Sequence, residues 1–182
     1  MHFIVFDLEA TCWKGRPPNQ VQETIEVGAL KINAYGEVED AFNRFIRPVV
    51  NPYLSPFCKE LTTIRQEDVD RAETFPRVIE AFQDWAGIFD DNGQIIFCSW
   101  GNFDQKQLVQ DCRLHDMDDD WVDPHLNIKR QYQEIRRLRR PWGLRHAVTA
   151  EGFEFTGTHH RGFSDAENLA KLFGKYLDEW RY

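Results

Sequence analysis

The stretch that most constrains this chain is Phe3-Ile4-Val5-Phe6-Asp7-Leu8-Glu9-Ala10-Thr11. Its four leading residues are apolar and aromatic or β-branched, the pattern of a strand buried on both faces. Asp7 and Glu9 then follow two residues apart, and in an extended chain i and i+2 point to the same face. Two carboxylates side by side at the end of a buried strand repel each other, and their desolvation costs several kcal/mol unless something offsets it. A hard divalent cation with oxygen ligands offsets it well. Asp7 and Glu9 are therefore candidate metal ligands. The competing reading is a pair of ordinary strand-end carboxylates facing water, so the rest of the chain must supply the remainder of a site.

The order of elements predicts an α/β fold. Glu23 to Ile32 carries Ile25, Val27, Ala29 and Ile32 at roughly period two, with Gly28 inside the strand. Asn33-Ala34-Tyr35-Gly36-Glu37 reads as a hairpin turn, and Val38 to Ile46 returns as a third strand. Pro48, Pro52 and Pro56 mark an extended loop. Gln66 to Val69 reads as a short helical turn. Phe75, Val78, Ile79, Phe82 and Ala86 then recur at helical spacing behind a candidate N-cap, Thr74, and Gly93 closes that unit.

A second apolar run, Gln94 to Trp100, reads as a covered strand, followed by a helix from Asp104 to Leu114. Trp121-Val122-Asp123 reads as a short fifth strand, with Asp123 an N-cap and Pro124 the first helical residue. Helices over Leu126–Arg137, Gly143–Gly152 and Asp165–Trp180 complete the chain. Three strands joined by hairpins, then strands alternating with helices, predict a mixed five-stranded sheet with helices on both faces.

At 182 residues the length suits one domain spanning 1–182. No apolar run approaches membrane-spanning length, and Asp7 interrupts the apolar start before it can serve as a signal peptide. Cys12, Cys58, Cys98 and Cys112 are scattered without a C-x-x-C pair, which argues against zinc and for a reducing, cytoplasmic setting. A net charge of −8 argues at first against a nucleic-acid partner. Acidic residues that hold cations are neutralised by them, however, and the distribution of charge matters more than its sum.

The remaining pieces of a site lie at later strand and helix ends. Ligands in α/β folds sit where successive parallel strands end. The second buried strand runs into Ser99-Trp100-Gly101-Asn102-Phe103-Asp104, which can bring Asp104 beside Asp7. Near the C-terminus, His160 precedes Asp165 by five residues in a loop flanked by Gly157 and Gly162, a placement suited to a base carried over rigid ligands.

The set Asp7-x-Glu9, Asp104 and His160-x₄-Asp165 resembles the DEDDh exonucleases of the DnaQ-like superfamily, which have a ribonuclease H-like fold. The segments Ile25–Ala29, Leu61–Gln66 and His160–Asn168 also match, most closely the branch holding the histone-mRNA and enhanced-RNAi exonucleases and KapD. The resemblance covers nearly the whole chain and leaves no room for the extra nucleic-acid-binding module of some animal members.

It implies metal-dependent 3′→5′ removal of nucleoside 5′-monophosphates from single-stranded RNA or DNA 3′ ends, with RNA favoured. It further implies two Mg²⁺ or Mn²⁺ ions held by Asp7, Glu9, Asp104 and Asp165, with Asp104 acting through water and His160 as general base. Spacing to Asp165 favours His160 over His159 as that base. Ala10, Thr11, Leu61, Thr62, Phe103 and His160 are the implied substrate-binding residues.

Each residue has a simpler reading. Asp104 and Asp165 could be helix N-caps, and Glu26 a surface ion-pair partner rather than a support for the site. A catalytically silent nucleic-acid-binding domain and a nucleotide phosphatase remain the rival functions. The segment from Lys129 to Arg145 holds seven cations against Glu134. It reads either as a phosphate track or as a solvated face paired with Asp116–Asp120.

Overall fold

The apolar run at the start of the chain is the central strand of the sheet. In the computed structural model, which describes residues 1–15, 17, 20–89 and 94–182, β1 (His2–Ala10), β2 (Thr24–Asn33) and β3 (Val38–Phe45) form an antiparallel meander. Two further strands, β4 (Ile95–Ser99) and β5 (His125–Asn127), add in parallel on the other side of β1, giving the order β3-β2-β1-β4-β5. This is the expected mixed five-stranded sheet. β1 pairs with β2 along its whole length but with β4 only from His2 to Val5. Past Val5 the two parallel strands part, and the residues carrying Asp7 and Glu9 are left open on that side.

The period-two alternation of β1 sorts its residues between two cores. Phe3 and Val5 join Leu30, Ile96 and Cys98 against one group of helices. Ile4, Phe6 and Leu8 join Val27, Ala29 and Phe42 against another. On the second face lie α3 (Phe75–Ala86) and α4 (Phe103–Leu114), reached after the short helices α1 (Pro56–Thr62) and α2 (Gln66–Asp70). On the first face pack α5 (Ile128–Ile135), α6 (Leu144–Ala150) and α7 (Gly162–Lys175). All five α3 residues picked out by helical spacing are buried. Among the described residues no helix is long and apolar enough to cross a membrane.

Several local expectations are corrected. The proline-marked loop ends in a helix. Pro56 opens α1, where its missing N–H costs nothing, Ser55 Oγ accepts from Cys58 N at 3.0 Å, and Thr63 closes the helix at φ 61°. The fifth strand begins at His125 rather than Trp121. Asp120–Val122 forms a 3₁₀ turn that buries Val122, and the Pro124 carbonyl accepts from Phe97 N at 3.0 Å to start the ladder. Asp123 is accordingly not a helix cap. Asn127 caps α5, accepting from Arg130 N at 2.9 Å.

Asp104 and Asp165 are not caps either. Asp104 is the second residue of α4, behind Asn102, and Asp165 is the fourth of α7, behind Arg161. α7 stops at Lys175 and a 3₁₀ turn follows, short of the expected Trp180. Gly93, and Arg16, Pro18 and Asn19 of the first loop, lie outside the described residues.

Candidate active site

Where β1 and β4 part, four elements converge on a cleft of about 380 Å³. β1 supplies Asp7 and Glu9, α4 supplies Asp104, and α7 with the loop before it supplies Asp165 and His160. Carboxylate oxygens of Asp7, Glu9 and Asp165 lie within 4.8 Å of one another. Such convergence needs α7 to press its first turn onto the sheet. Gly162 permits this, because a Cβ there would stand 2.9 Å from the Asp7 carbonyl oxygen. Asp104 stands outside the triple cluster. Its Oδ1 accepts the Leu8 amide at 3.1 Å, using the N–H that the splayed strands leave free of the ladder.

Burial and mutual repulsion act on these acids together. Asp7 is held well above the ordinary carboxylate range, first by burial and then by Asp104, Asp165, Glu9 and Glu26. Glu9 is pushed from 4.5 to about 9 by burial and then by Asp165 and Glu26. Asp104 is raised to about 6 by burial, against the hydrogen bond it accepts from Leu8 N. Burial also raises Asp165, against its bond to His159.

The loop before α7 is tied at both ends. His159 Nδ1 lies 3.0 and 3.2 Å from the two Asp165 oxygens, and the His160 amide donates to Oδ2 at 3.1 Å. His160 sits at φ 63°, in the left-handed region, with its ring stacked on His159 at 4.1 Å. Burial, and then the neighbouring His159, lower its pKa below 6.5, so the imidazole is neutral at neutral pH. The loop is anchored through Arg161, whose guanidinium donates twice to Glu26 at 3.0 Å, while Gly162 N donates to the same carboxylate at 2.9 Å. Glu26 is fully buried. It is thus a support beneath the site and not a surface ion-pair partner, because Gly162 lets the loop and the start of α7 lie directly over it.

Of the expected substrate residues, Ala10, Leu61, Phe103 and His160 line the cleft, and Phe103 is 48% exposed there. Thr11 and Thr62 do not reach it. Thr11 Oγ1 accepts from Glu23 N at 2.9 Å, and Thr62 Oγ1 bonds the Cys58 carbonyl at 2.8 Å and the Ile64 amide at 3.2 Å. Thr11 thus bonds backbone across the first loop, and Thr62 bonds the backbone of its own helix and the turn after it.

Sequence reasoning missed Arg161, Gln22, Gly143 and the hydrogen-bonded pair Ser99 and His125. The Ser99 hydroxyl lies 2.9 Å from His125 Nε2 and donates to the Gly101 carbonyl at 3.1 Å, fixing the turn that leads into α4. His125 is held neutral by burial, which lowers it to about 4.

The exonuclease (RNase_T) family model matches residues 4–173. Human 3′-5′ exoribonuclease 1 is 30% identical over 184 residues, covering 98% of this chain and 53% of that protein. Human ERI1 exoribonuclease 3 is 33% identical over 177 residues, covering 94% of this chain and 52% of that protein. The chain thus spans about half the length of the curated relatives it matches. A crystal structure of the nuclease domain of 3′hExo, described as a DEDDh family member bound to rAMP, superposes with a TM-score of 0.92 at 31% identity, covering 99% of this chain and 94% of that one. On a match over nearly all of its length, the chain belongs to the exonuclease (RNase_T) family.

Proposed function

We propose that this chain is a single exonuclease domain that hydrolyses phosphodiester bonds from the 3′ end of single-stranded nucleic acid, with RNA preferred, and releases nucleoside 5′-monophosphates. The observation that carries this is the meeting of Asp7, Glu9 and Asp165 in one cleft beside His160. The names of the relatives, which are exoribonucleases, support the choice of RNA.

The residues fit a pair of divalent cations, Mg²⁺ or Mn²⁺. Among the described residues neither Asp7 nor Glu9 has an ion-pair partner, Asp165 has only His159, and Arg161 is taken by Glu26. Buried like charges left in that state need a cation of the hard, oxygen-seeking class. Asp7, Glu9 and Asp165 would hold the ions directly, with Asp104 acting through water. When bound, the ions supply charge neutralisation at the phosphate and a more acidic water.

This chain's own groups do the rest. His160, neutral at working pH, accepts the proton of the attacking water at an imidazole nitrogen. Leu61 and Phe103 present apolar surface to the terminal base, and Ala10 leaves room for the terminal sugar. Arg161 and Glu26 hold the His160 loop in place. The four free cysteines suit a reducing compartment, which supports a cytoplasmic location.

The test is incubation of the pure protein with 5′-labelled RNA and DNA, with Mg²⁺ or Mn²⁺ and then with a chelator. A ladder shortening from the 3′ end, abolished by the chelator, is expected. Binding without cleavage would favour the silent domain.

A further inference from the structure

The cations between Lys129 and Arg145 fall into two groups. Arg130 is held by Glu134 at 3.3 Å and Arg136 by the buried Glu151 at 3.2 Å. Lys129, Arg137, Arg139, Arg140 and Arg145 have no carboxylate within 4.0 Å among the described residues. In the acidic stretch that could have balanced them, Asp119 pairs with Arg113 of α4, and none of its carboxylates pairs with this segment among the described residues. Unpaired like charges clustered on a chain of net charge −8 mark a surface that favours a polyanion.

Their position adds direction. A second cavity of about 460 Å³, lined by Gly143, Arg145, His146, Thr149 and His159, adjoins the catalytic cleft, and Gly143 and His159 line both. The segment feeding it is fixed: the Trp142 carbonyl accepts from Trp100 Nε1 at 3.2 Å, and the Trp142 ring packs on His146 at 4.4 Å. Arg139 and Arg140 therefore lead into a rigid rim. The Arg145 guanidinium lies 5.8 Å from the centre of the Phe155 ring. The cleft that holds the carboxylates is thus continuous with this cavity through Gly143 and His159.

Resting on the exonuclease reading, we infer that the strand upstream of the scissile phosphate leaves the cleft along this second cavity. Its phosphates are held by Arg145 and by Arg139 and Arg140 at the rim. The contacts are to the sugar–phosphate backbone, so the track binds strands irrespective of sequence.

The experiment compares the full chain with its Arg139→Ala/Arg140→Ala/Arg145→Ala variant in two assays. In the first, binding of a labelled single-stranded oligoribonucleotide is followed by anisotropy across a salt series, with Ca²⁺ in place of the activating ion. The variant should bind about 10-fold more weakly and lose about 0.7 of log–log salt slope for each phosphate contact removed. In the second, KM for the oligoribonucleotide should rise about 10-fold. Hydrolysis of the p-nitrophenyl ester of thymidine 5′-monophosphate, too short to reach the track, should be unchanged.

An unaltered salt slope and KM would overturn the inference. So would an equal loss on the small ester, which would make the arginines supports of the cleft rather than contacts to the strand. A wild-type protein that cleaves neither substrate, yet shows the difference in salt slope, would sink the exonuclease reading and leave the track standing.

Discussion

A Cβ placed on Gly28 would stand 2.1 Å from the backbone nitrogen of Phe163. β2 and the first turn of α7 therefore touch main chain to main chain, directly beside Asp7, whose partner across the sheet is Gly28. Gly28→Ala must push α7 off the sheet and carry Asp165 with it. The expected cost is about 1–3 kcal/mol or more of stability, read from urea unfolding, with turnover lost even where the variant remains folded.

The fork between Arg161 and Glu26 predicts a sharper effect. Arg161→Ala leaves a fully buried carboxylate with only the Gly162 amide for company, and should cost about 3–5 kcal/mol. Arg161→Lys keeps the charge but loses one of two donated bonds. It should fall between wild type and Arg161→Ala in chemical denaturation.

Metal-free protein should become less stable as pH rises. A carboxyl whose folded pKa lies above its unfolded one binds its proton more tightly when folded. Its stabilising contribution is present below the unfolded value and lost as pH climbs through the folded value. For Glu9 that window runs from 4.5 to about 9, and Asp7 is shifted in the same direction. Melting temperature in chelator should fall across this window, and Mg²⁺ should reverse the fall. Asp7→Asn should flatten the metal-free profile while abolishing turnover. A metal-free melting temperature that rises with pH would contradict the account.

Much of this was legible in the primary structure, and the reason is physical. Apolar runs fix β1 and β4, helical spacing fixes α3, and the carboxylates at element ends announce themselves because few folds tolerate them buried. The fifth strand was misplaced because Trp121 and Val122 have strand-forming chemistry but are spent on a 3₁₀ turn beneath α4. Thr11 and Thr62 fall outside the cleft lining, which their residue type could not reveal, because a hydroxyl reads the same whether it faces a ligand or the backbone. Arg161 was invisible because its partner lies 135 residues away.

Removing the proposed base should slow chemistry without loosening the proposed metal ligands. His160→Ala keeps the backbone amide that donates to Asp165, so metal binding measured by calorimetry should be close to wild type. The value of kcat should drop by about 10²–10⁴. An unchanged kcat would move the role to another group, with His159 the first to examine.

Ser99→Ala removes the hydroxyl that ties His125 and the Gly101 carbonyl together at the turn placing Asp104 in the cleft. Partners that orient metal-binding carboxylates are worth about 10–100-fold in affinity. The Mg²⁺ concentration giving half-maximal activity should rise by that factor, and Ser99→Thr should restore it. Equal loss in both variants would point to packing instead.

The early end of hydrogen bonding between β1 and β4 has a wider consequence. The depth of the catalytic trough is set by the length of a backbone ladder, which point substitutions seldom change. The rim, by contrast, is built of side chains such as Leu61 and Phe103. Evolution is thereby free to rewrite which strand is admitted while the chemistry beneath stays fixed.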